Sequence, residues 1–269
     1  LDRRLHGAGE AHQELGLPVL GRVSDAALKY PGLARDGAAP MSESEFEAFR
    51  ILRTNLRALS DGEPLNKILV TSSRPDEGKT AVSLSLASAC AIAGHKVLLV
   101  ECDLRRPSFA RRLKSINQSP GLTDFLMGNA APQDILQVVQ LSEPAGAASL
   151  AGAQGQAAGA IVCITAGSIV PKPAELIGGK RFAEFLEKVV KAYDMVIIDA
   201  SPLLSVVDPL ELVQHVDGVL ICVRSGQTTR EEARASRAAL AHLPERPSGV
   251  VMTGLKRGGV DGYGYYYGY

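Results

Sequence analysis

Gly78-Lys79-Thr80 stands where an apolar run, Ile68-Leu69-Val70, passes through a polar loop into a long small-residue helix with no Pro or Gly inside it. Each of the three has a use against a phosphate. Gly78 lets the backbone approach with no Cβ in the way, Lys79 lays a point charge on the oxygens, and the Thr80 hydroxyl is a natural Mg²⁺ ligand. At a helix start the free N–H groups and the positive end of the dipole converge, which seats an anion. The usual pattern is Gly, four residues, then Gly-Lys-Ser/Thr, and Ser73 holds the first glycine's place here. With a strand before it and a helix after it, the loop Ser73–Thr80 reads as a nucleotide site. An ordinary helix N-terminus would leave the Gly-Lys-Thr order unexplained.

Two more apolar runs end in acids. Val97-Leu98-Leu99-Val100 leads into Glu101-Cys102-Asp103-Leu104-Arg105-Arg106-Pro107. A strand's period of two puts Glu101 and Asp103 on one side, where they could order Mg²⁺ or take a proton from a hydroxyl. A salt bridge to Arg105 or Arg106 is the plainer alternative. Met195-Val196-Ile197-Ile198 leads into Asp199, and an acid at that place beside a phosphate loop fits a carboxylate that orders Mg²⁺ and its waters. Strand tips at the carboxyl edge of a parallel sheet face the ligand crevice, so Asp103 and Asp199 are expected near Lys79.

A different chemistry is written at the end of the chain. Tyr263, Tyr265, Tyr266, Tyr267 and Tyr269 lie within the last seven residues, interleaved with glycine. Glycine disfavours a helix and offers no core, so these hydroxyls are expected to be accessible. In a chain that also holds a phosphoryl site they are candidate acceptors; otherwise they form a sticky tail of no consequence.

The elements that must position these groups alternate. Leu17–Val23 is a short strand candidate, and residues 24–41 read as a Gly/Ala/Pro-rich linker. A helix starting near Ser42 or Ser44 carries the stripe Phe46, Phe49, Leu52, Leu56, Leu59. Glu47, Arg50 and Arg53 repeat every three residues on another face, which by spacing alone is a solvated face with weak pairing. Gly121–Leu126 reads as a turn and capped helix, followed by another over Pro132–Leu141. Residues 143–160 are low-complexity Ala/Gly, expected as a surface excursion. Ile161–Thr165, Gly218–Val223 and Gly249–Thr253 read as strands, with helices over Lys180–Tyr193 and Thr228–His242. The alternation predicts an α/β fold with a mainly parallel sheet and helices on both faces.

Composition narrows the function further. Lys+Arg and Asp+Glu both number 29 in 269 residues, so no global field favours nucleic acid, and no basic run is interleaved with aromatics. Cys90, Cys102, Cys163 and Cys222 fall inside apolar patterns, as buried reduced thiols of a cytosolic compartment do. No segment has the roughly 18 apolar residues that span a bilayer. The chain begins at Leu1, which fits a piece of a longer protein.

These motifs, in this order, resemble the cytoplasmic domain of bacterial tyrosine kinases of the polysaccharide co-polymerase type, which have a P-loop NTPase fold. The resemblance spans essentially the whole chain. Ser73–Thr80, Leu98–Arg105 and Val196–Pro202 match the family's Walker A, A′ and B motifs. Arg50–Leu56, Gly121–Leu126, Pro173-Ala174-Glu175-Leu176 and the tyrosine cluster are also similar. It implies a linker over 1–41, a kinase domain over 42–257 and a tyrosine-rich tail over 258–269. ATP and Mg²⁺ are the implied ligands. Nucleotide contacts would come from Ser73, Asp76, Glu77, Gly78, Lys79, Thr80, Ala81 and Arg105, metal ligation from Thr80, Asp103 and Asp199, and catalysis from Lys79, Glu101, Asp103 and Asp199.

The resemblance also implies phosphorylation of the tail in trans within a ring-shaped homo-oligomer, with Glu47, Arg50 and Arg53 at the subunit interface. Implied partners are the membrane portion of the same or a partner co-polymerase, at the cytoplasmic face of the inner membrane, and a tyrosine phosphatase. The process served would be polymerisation and export of a capsular or extracellular polysaccharide. Three positions depart from the pattern: Glu101 where Asp is usual, Ser73 for glycine, and Thr253 where an adenine-reading Asn is frequent. Partitioning-type switch ATPases share the fold but carry lysine where this chain has Arg74. A switch ATPase, or a nucleotide-binding scaffold that phosphorylates nothing, remains the alternative at this stage.

Overall fold

A computed structural model of the chain describes residues 2–29, 41–60, 64–141, 159–246 and 248–256. The tyrosine cluster and nearly all of the Ala/Gly run 143–160 lie outside them. Eight strands form one sheet: β1 (Val19–Ser24), β2 (Lys67–Ser72), β3 (Val97–Cys102), β4 (Gln137–Gln140), β5 (Ala160–Ile164), β6 (Met195–Ala200), β7 (Gly218–Arg224) and β8 (Ser248–Leu255). Their order is β1-β8-β7-β2-β6-β3-β5-β4. Every pairing is parallel except that of β4 with β5. The helices are α1 (Ala8–Leu15), α2 (Glu43–Ala58), α3 (Lys79–Ile92), α4 (Phe109–Leu113), α5 (Leu122–Met127), α6 (Pro173–Ile177), α7 (Lys180–Val189), α8 (Asp208–Val213) and α9 (Arg230–Ala241).

Apolar residues on successive positions of the inner strands point to opposite faces and build two cores. Ile68, Val70, Leu99, Ile197 and Leu220 pack under α2, α3 and α4, where Phe46, Phe49, Leu52 and Leu84 are buried. Leu69, Leu98, Val100, Ile198 and Ile221 pack on the other face against Leu15 of α1, Leu122 of α5, Phe182 of α7 and Leu212 of α8. α2 starts as its sequence predicts, with Ser42 and Glu45 forming a reciprocal capping box. α3 is buried nearly all round, which explains its Ala/Ser/Leu composition.

One stretch differs from the sequence reading. Pro132–Leu141, expected as a helix, is one 3₁₀ turn followed by β4. Val138 and Val139 are β-branched and find Val162 and Ile161 across an antiparallel pair. The strand expected over Leu17–Val23 is present as β1, preceded by α1, and lies parallel to β8 as the edge of the sheet. The sheet therefore begins ahead of residue 42.

Candidate active site

The tips of three neighbouring strands meet the start of α3. In the register, Asp199 lies beside Val70 on β2 and beside Glu101 on β3. The loop from Ser72 to Gly78 therefore arches over the point where β6 and β3 end. Gly78 has φ +90°, a left-handed conformation that glycine takes without strain. Asp76 takes φ +65°, a conformation that Asp adopts more readily than most non-glycine residues.

Lys79 Nζ lies 2.8 Å from Asp103 Oδ2 and 3.9 Å from Asp199 Oδ2. Burial works against its charge, but Asp199 and Asp103 outweigh that and hold the ammonium above its ordinary pKa. Asp199, fully buried, accepts hydrogen bonds from Thr80 Oγ1 at 2.8 Å and Ser83 Oγ at 3.0 Å. Burial pushes its carboxyl upward, opposed by Lys79 and those hydroxyls. Asp103 accepts from Ser201 Oγ at 2.9 Å and from the Arg106 amide at 3.2 Å.

Glu101 behaves otherwise, although it shares a strand tip with Asp103. One carboxylate oxygen accepts from the amides of Ser108 and Phe109, the latter at 2.8 Å, and the other from the Ala166 amide at 3.0 Å. The carboxylate thus ties the β3–α4 turn to the end of β5. Burial pushes its pKa up to about 7 against those three donors. The turn that follows β5 packs so closely on α5's start that a Cβ on Gly121 would stand 2.4 Å from the Gly167 nitrogen.

Glu77, inside the loop, is likewise fully buried. It accepts from the Thr228 hydroxyl and, at 2.8 Å, from the Arg74 amide, and burial pushes it up to about 7. Thr253 donates its hydroxyl to the Glu77 carbonyl at 2.7 Å, so its side chain holds the loop from below. Ser73 receives the Ser236 hydroxyl at 2.8 Å, and Ala81 is buried in the first turn of α3. Arg74 turns outward to Glu232 at 2.8 Å. Arg105 points to α8, where Asp208 takes its guanidinium through two bonds of 2.8 and 3.0 Å.

The structure therefore brings Lys79, Thr80, Asp103 and Asp199 together, and sets Glu77 and Glu101 behind them. Glu47, Arg50 and Arg53 lie on α2, and the five tail tyrosines are outside the described residues. Sequence reasoning missed Ser83, Ser201 and Thr228. Ser83 was findable, since it lies three residues after Thr80 on the same helix face; the other two come from distant segments.

The donor set is all oxygen, a hydroxyl and two carboxylates, which suits Mg²⁺. Among the described residues no cluster of three or more His, Cys, Asp or Glu is set to hold a metal. A Mg²⁺ that arrives with a nucleotide needs only one or two protein oxygens besides the phosphates. No helix among the described residues is long and apolar enough to cross a membrane.

Comparison with known proteins agrees with this geometry. A family model described as an AAA domain matches residues 66–234. A tyrosine-protein kinase of Bacillus subtilis, YwqD, is 33% identical over 220 residues, covering 82% of this chain and 85% of the relative. A putative tyrosine-protein kinase in the cps region of Klebsiella pneumoniae is 30% identical over 81% of this chain but only 28% of its own length. The solved kinase domain of the Escherichia coli tyrosine kinase ETK superposes with a TM-score of 0.76 at 27% identity, covering 97% of this chain and 99% of that domain.

Proposed function

This chain belongs to the bacterial tyrosine-protein kinase family, with the P-loop NTPase fold and the enzyme class of that family, and from that premise we propose that it transfers the γ-phosphoryl group of ATP to the tyrosines at its own C-terminus. The observation that carries this reading is the group Lys79, Thr80, Asp103 and Asp199, gathered at 2.8–3.9 Å where three strands end. Phosphoryl transfer asks for little covalent chemistry from a protein; it asks for positioning and charge stabilisation.

Lys79 leaves Asp103 for the β/γ-phosphate oxygens, while the amides of Gly78, Lys79 and Thr80 face the phosphates at the helix start. Thr80 and Asp199 would hold Mg²⁺, with Asp103 beside them; the ion neutralises charge on the phosphates. Asp103, freed of Lys79, takes the proton of the incoming tyrosine. The phenol has a reference pKa of about 10 and needs such a base close by. The tyrosine oxygen bonds to phosphorus as the bond to the ADP oxygen breaks. Both oxygens of Glu101 are engaged by backbone amides, which favours Asp103 over Glu101 as the base.

The acceptors in this reading are Tyr263, Tyr265, Tyr266, Tyr267 and Tyr269 of a neighbouring subunit in a ring, whose contacts include Glu47, Arg50 and Arg53. Each phosphotyrosine adds roughly −1.5 to −2 charges to the tail, enough repulsion among several to loosen the ring. The ring works with the membrane portion of a co-polymerase at the cytoplasmic face of the inner membrane, and a tyrosine phosphatase resets it. The relative in the cps region supports a role in capsular or extracellular polysaccharide polymerisation and export.

The test is intact-mass spectrometry after incubation with Mg·ATP, beside Lys79→Met. Stepwise phosphoryl additions that map to Tyr263–Tyr269 and vanish in the variant are expected. ADP formed without any protein-bound phosphate would mark a nucleotide switch and overturn the kinase reading.

A further inference from the structure

We infer that the segment ahead of α2 positions the phosphate loop, through two side-chain tethers that end on Glu77 and Asp76; Thr228 and Arg224 are the positioning residues. This rests on reading Ser73–Thr80 as the nucleotide site and adds a control on it.

The first tether starts at the N-terminus. Residues 3–6 lie against the start of α9: the Leu5 amide donates to the Thr228 carbonyl at 2.8 Å, the Gly226 amide to the Leu5 carbonyl at 2.8 Å, and the Arg230 amide to the Arg3 carbonyl at 2.8 Å. Ion pairs then fasten α1 to α9, Arg230 and Arg234 meeting Glu14 at 3.1 and 2.6 Å and Arg230 also meeting Glu10. Thr228, gripped in this way by its carbonyl, gives its hydroxyl to the buried Glu77 carboxylate. The same oxygen accepts the Arg224 amide at 2.7 Å, so its rotamer is fixed from both sides.

The second tether starts just past β1. Asp25 pairs with the Arg224 guanidinium, and that group donates to the Asp76 carbonyl at 3.2 Å. Asp76 has the positive φ that, besides glycine, Asn and Asp adopt most readily, and the Arg224 bond to its carbonyl adds to what holds it there. Nearby, a Cβ on Gly78 would stand 3.0 Å from a Leu28 methyl, so the turn after β1 also backs the loop.

The two loop residues immediately before Gly78-Lys79 are therefore held by Thr228 and Arg224, which are themselves gripped by the upstream segment through Leu5 and Asp25. The arm also adds Leu5 and Leu15 to the core, but the polar contacts of Thr228 and Arg224 bury no apolar surface. What they fix is the path of the backbone whose amides must converge on phosphates, and a loop already in its bound shape does not lose freedom on binding. Coupling of this kind is reciprocal: if the arm favours nucleotide, nucleotide must steady the arm. Whatever pulls on the N-terminal segment would then be felt at the nucleotide.

The experiment uses the full chain with a fluorescent ADP analogue and Mg²⁺, comparing wild type, Thr228→Val and Thr228→Ser, together with amide exchange at Leu5, Gly226 and Arg230. Thr228→Val should weaken nucleotide binding about tenfold, which corresponds to about 1.4 kcal/mol, and Thr228→Ser should restore it. Nucleotide should slow exchange at the three amides in wild type and leave them unchanged in Thr228→Val. Should Thr228→Val fail to fold, the double variant Glu10→Gln with Glu14→Gln loosens α1 far from the loop and should weaken nucleotide binding in the same direction. Binding that is equal in wild type and variants, with only thermal stability lowered, would overturn the tether. A wild type that binds no nucleotide would overturn the site reading and the tether with it.

Discussion

Four buried or nearly buried carboxylates surround the phosphate loop, and they fall into two kinds according to their partners. Asp103 and Asp199, in front, meet mainly side chains: the Lys79 ammonium and the hydroxyls of Ser201, Thr80 and Ser83. Glu101 and Glu77, behind, meet backbone amides: those of Ser108, Phe109 and Ala166 for Glu101, and those of Arg74 and Ser73 for Glu77 beside the Thr228 hydroxyl. The difference is one of exchangeability. An ammonium can swing to a phosphate, and a hydroxyl can reverse from donor to acceptor, with no change of backbone. A backbone N–H can only donate, and it moves only if its loop moves. The front pair is thus free to change partners during a reaction, whereas the back pair fixes the frame in which that happens.

Asp199→Asn gives the largest separation of the two. The hydroxyls of Thr80 and Ser83 can donate to or accept from an amide, and Lys79 loses its 3.9 Å partner but keeps Asp103 at 2.8 Å, so thermal stability should change little. Turnover should fall by about 10²–10³-fold, as for loss of one preorganised electrostatic group. A stability loss that matched the activity loss would erase the distinction between front and back.

Glu101→Gln should do the reverse. Both oxygens face N–H donors, so a glutamine must point its own NH₂ at one of them. One or two buried donors lose their acceptor, at about 1–3 kcal/mol each. Denaturant titration should show that loss, while the nucleotide affinity of the remaining folded protein stays within a few-fold of wild type. An unchanged midpoint would mean that the three amides have other acceptors.

This contrast also marks how far the sequence was legible. Ile68–Thr80, Asp103 and Asp199 were readable because strand, loop and helix follow each other directly and the acids close apolar runs. Glu101 was read with Asp103 because a strand's period of two puts them on one side, whereas the structure gives the two carboxylates separate partners. The amide partners of Glu101 lie seven, eight and 65 residues away, and Glu77 meets Thr228 across 151. No local spacing encodes such pairings. β4 was misread for the same reason, since Pro132–Leu141 shows its strand character only when β5 lies beside it. The strand at Leu17–Val23 was legible from its apolar run, but not its place in the sheet, because its partner, β8, comes at the far end of the chain.

Glu77 allows a finer cut within the back pair, through pH. Its folded pKa, about 7, lies above the ordinary carboxylate value of 4.5. Between those values the folded state keeps the proton that the unfolded state has released. Unfolding free energy therefore falls as pH rises from about 4.5 to about 7 and levels off above, by an amount on the order of 3 kcal/mol for this one group. Glu77→Gln should flatten that part of the curve. Its carbonyl can accept the Arg74 amide while its NH₂ donates to the Thr228 oxygen, so it is tolerated where Glu101→Gln is not. A slope that survives in Glu77→Gln assigns the titration to Glu101, which is pushed to the same range.

The smallest effect tests whether the rule reaches beyond the site, to α2. Arg53 donates to the Ala89 carbonyl at 2.7 Å, in the last turn of α3 where carbonyls lack helical partners. Among the described residues the Arg50 guanidinium meets side chains, Glu47 at 3.1 Å and the Phe46 ring at 5.2 Å. By the reasoning that separates Glu101 from Asp103, Arg53 is committed to its own fold and Arg50 is free to change partners. Arg53→Ala should then cost about 1 kcal/mol of stability, as loss of a cation at a helix C-terminus does. Arg50→Ala and Glu47→Ala should cost under about 0.5 kcal/mol, as exposed pairs three residues apart do. If α2 faces a neighbouring subunit, the same two changes should lower the oligomer mass seen by light scattering while leaving the melting temperature in place. A mass unchanged by Arg50→Ala and Glu47→Ala, but lowered by Arg53→Ala, would place the interface contact on the arginine that the fold already holds, and the exchangeability rule would fail outside the nucleotide site.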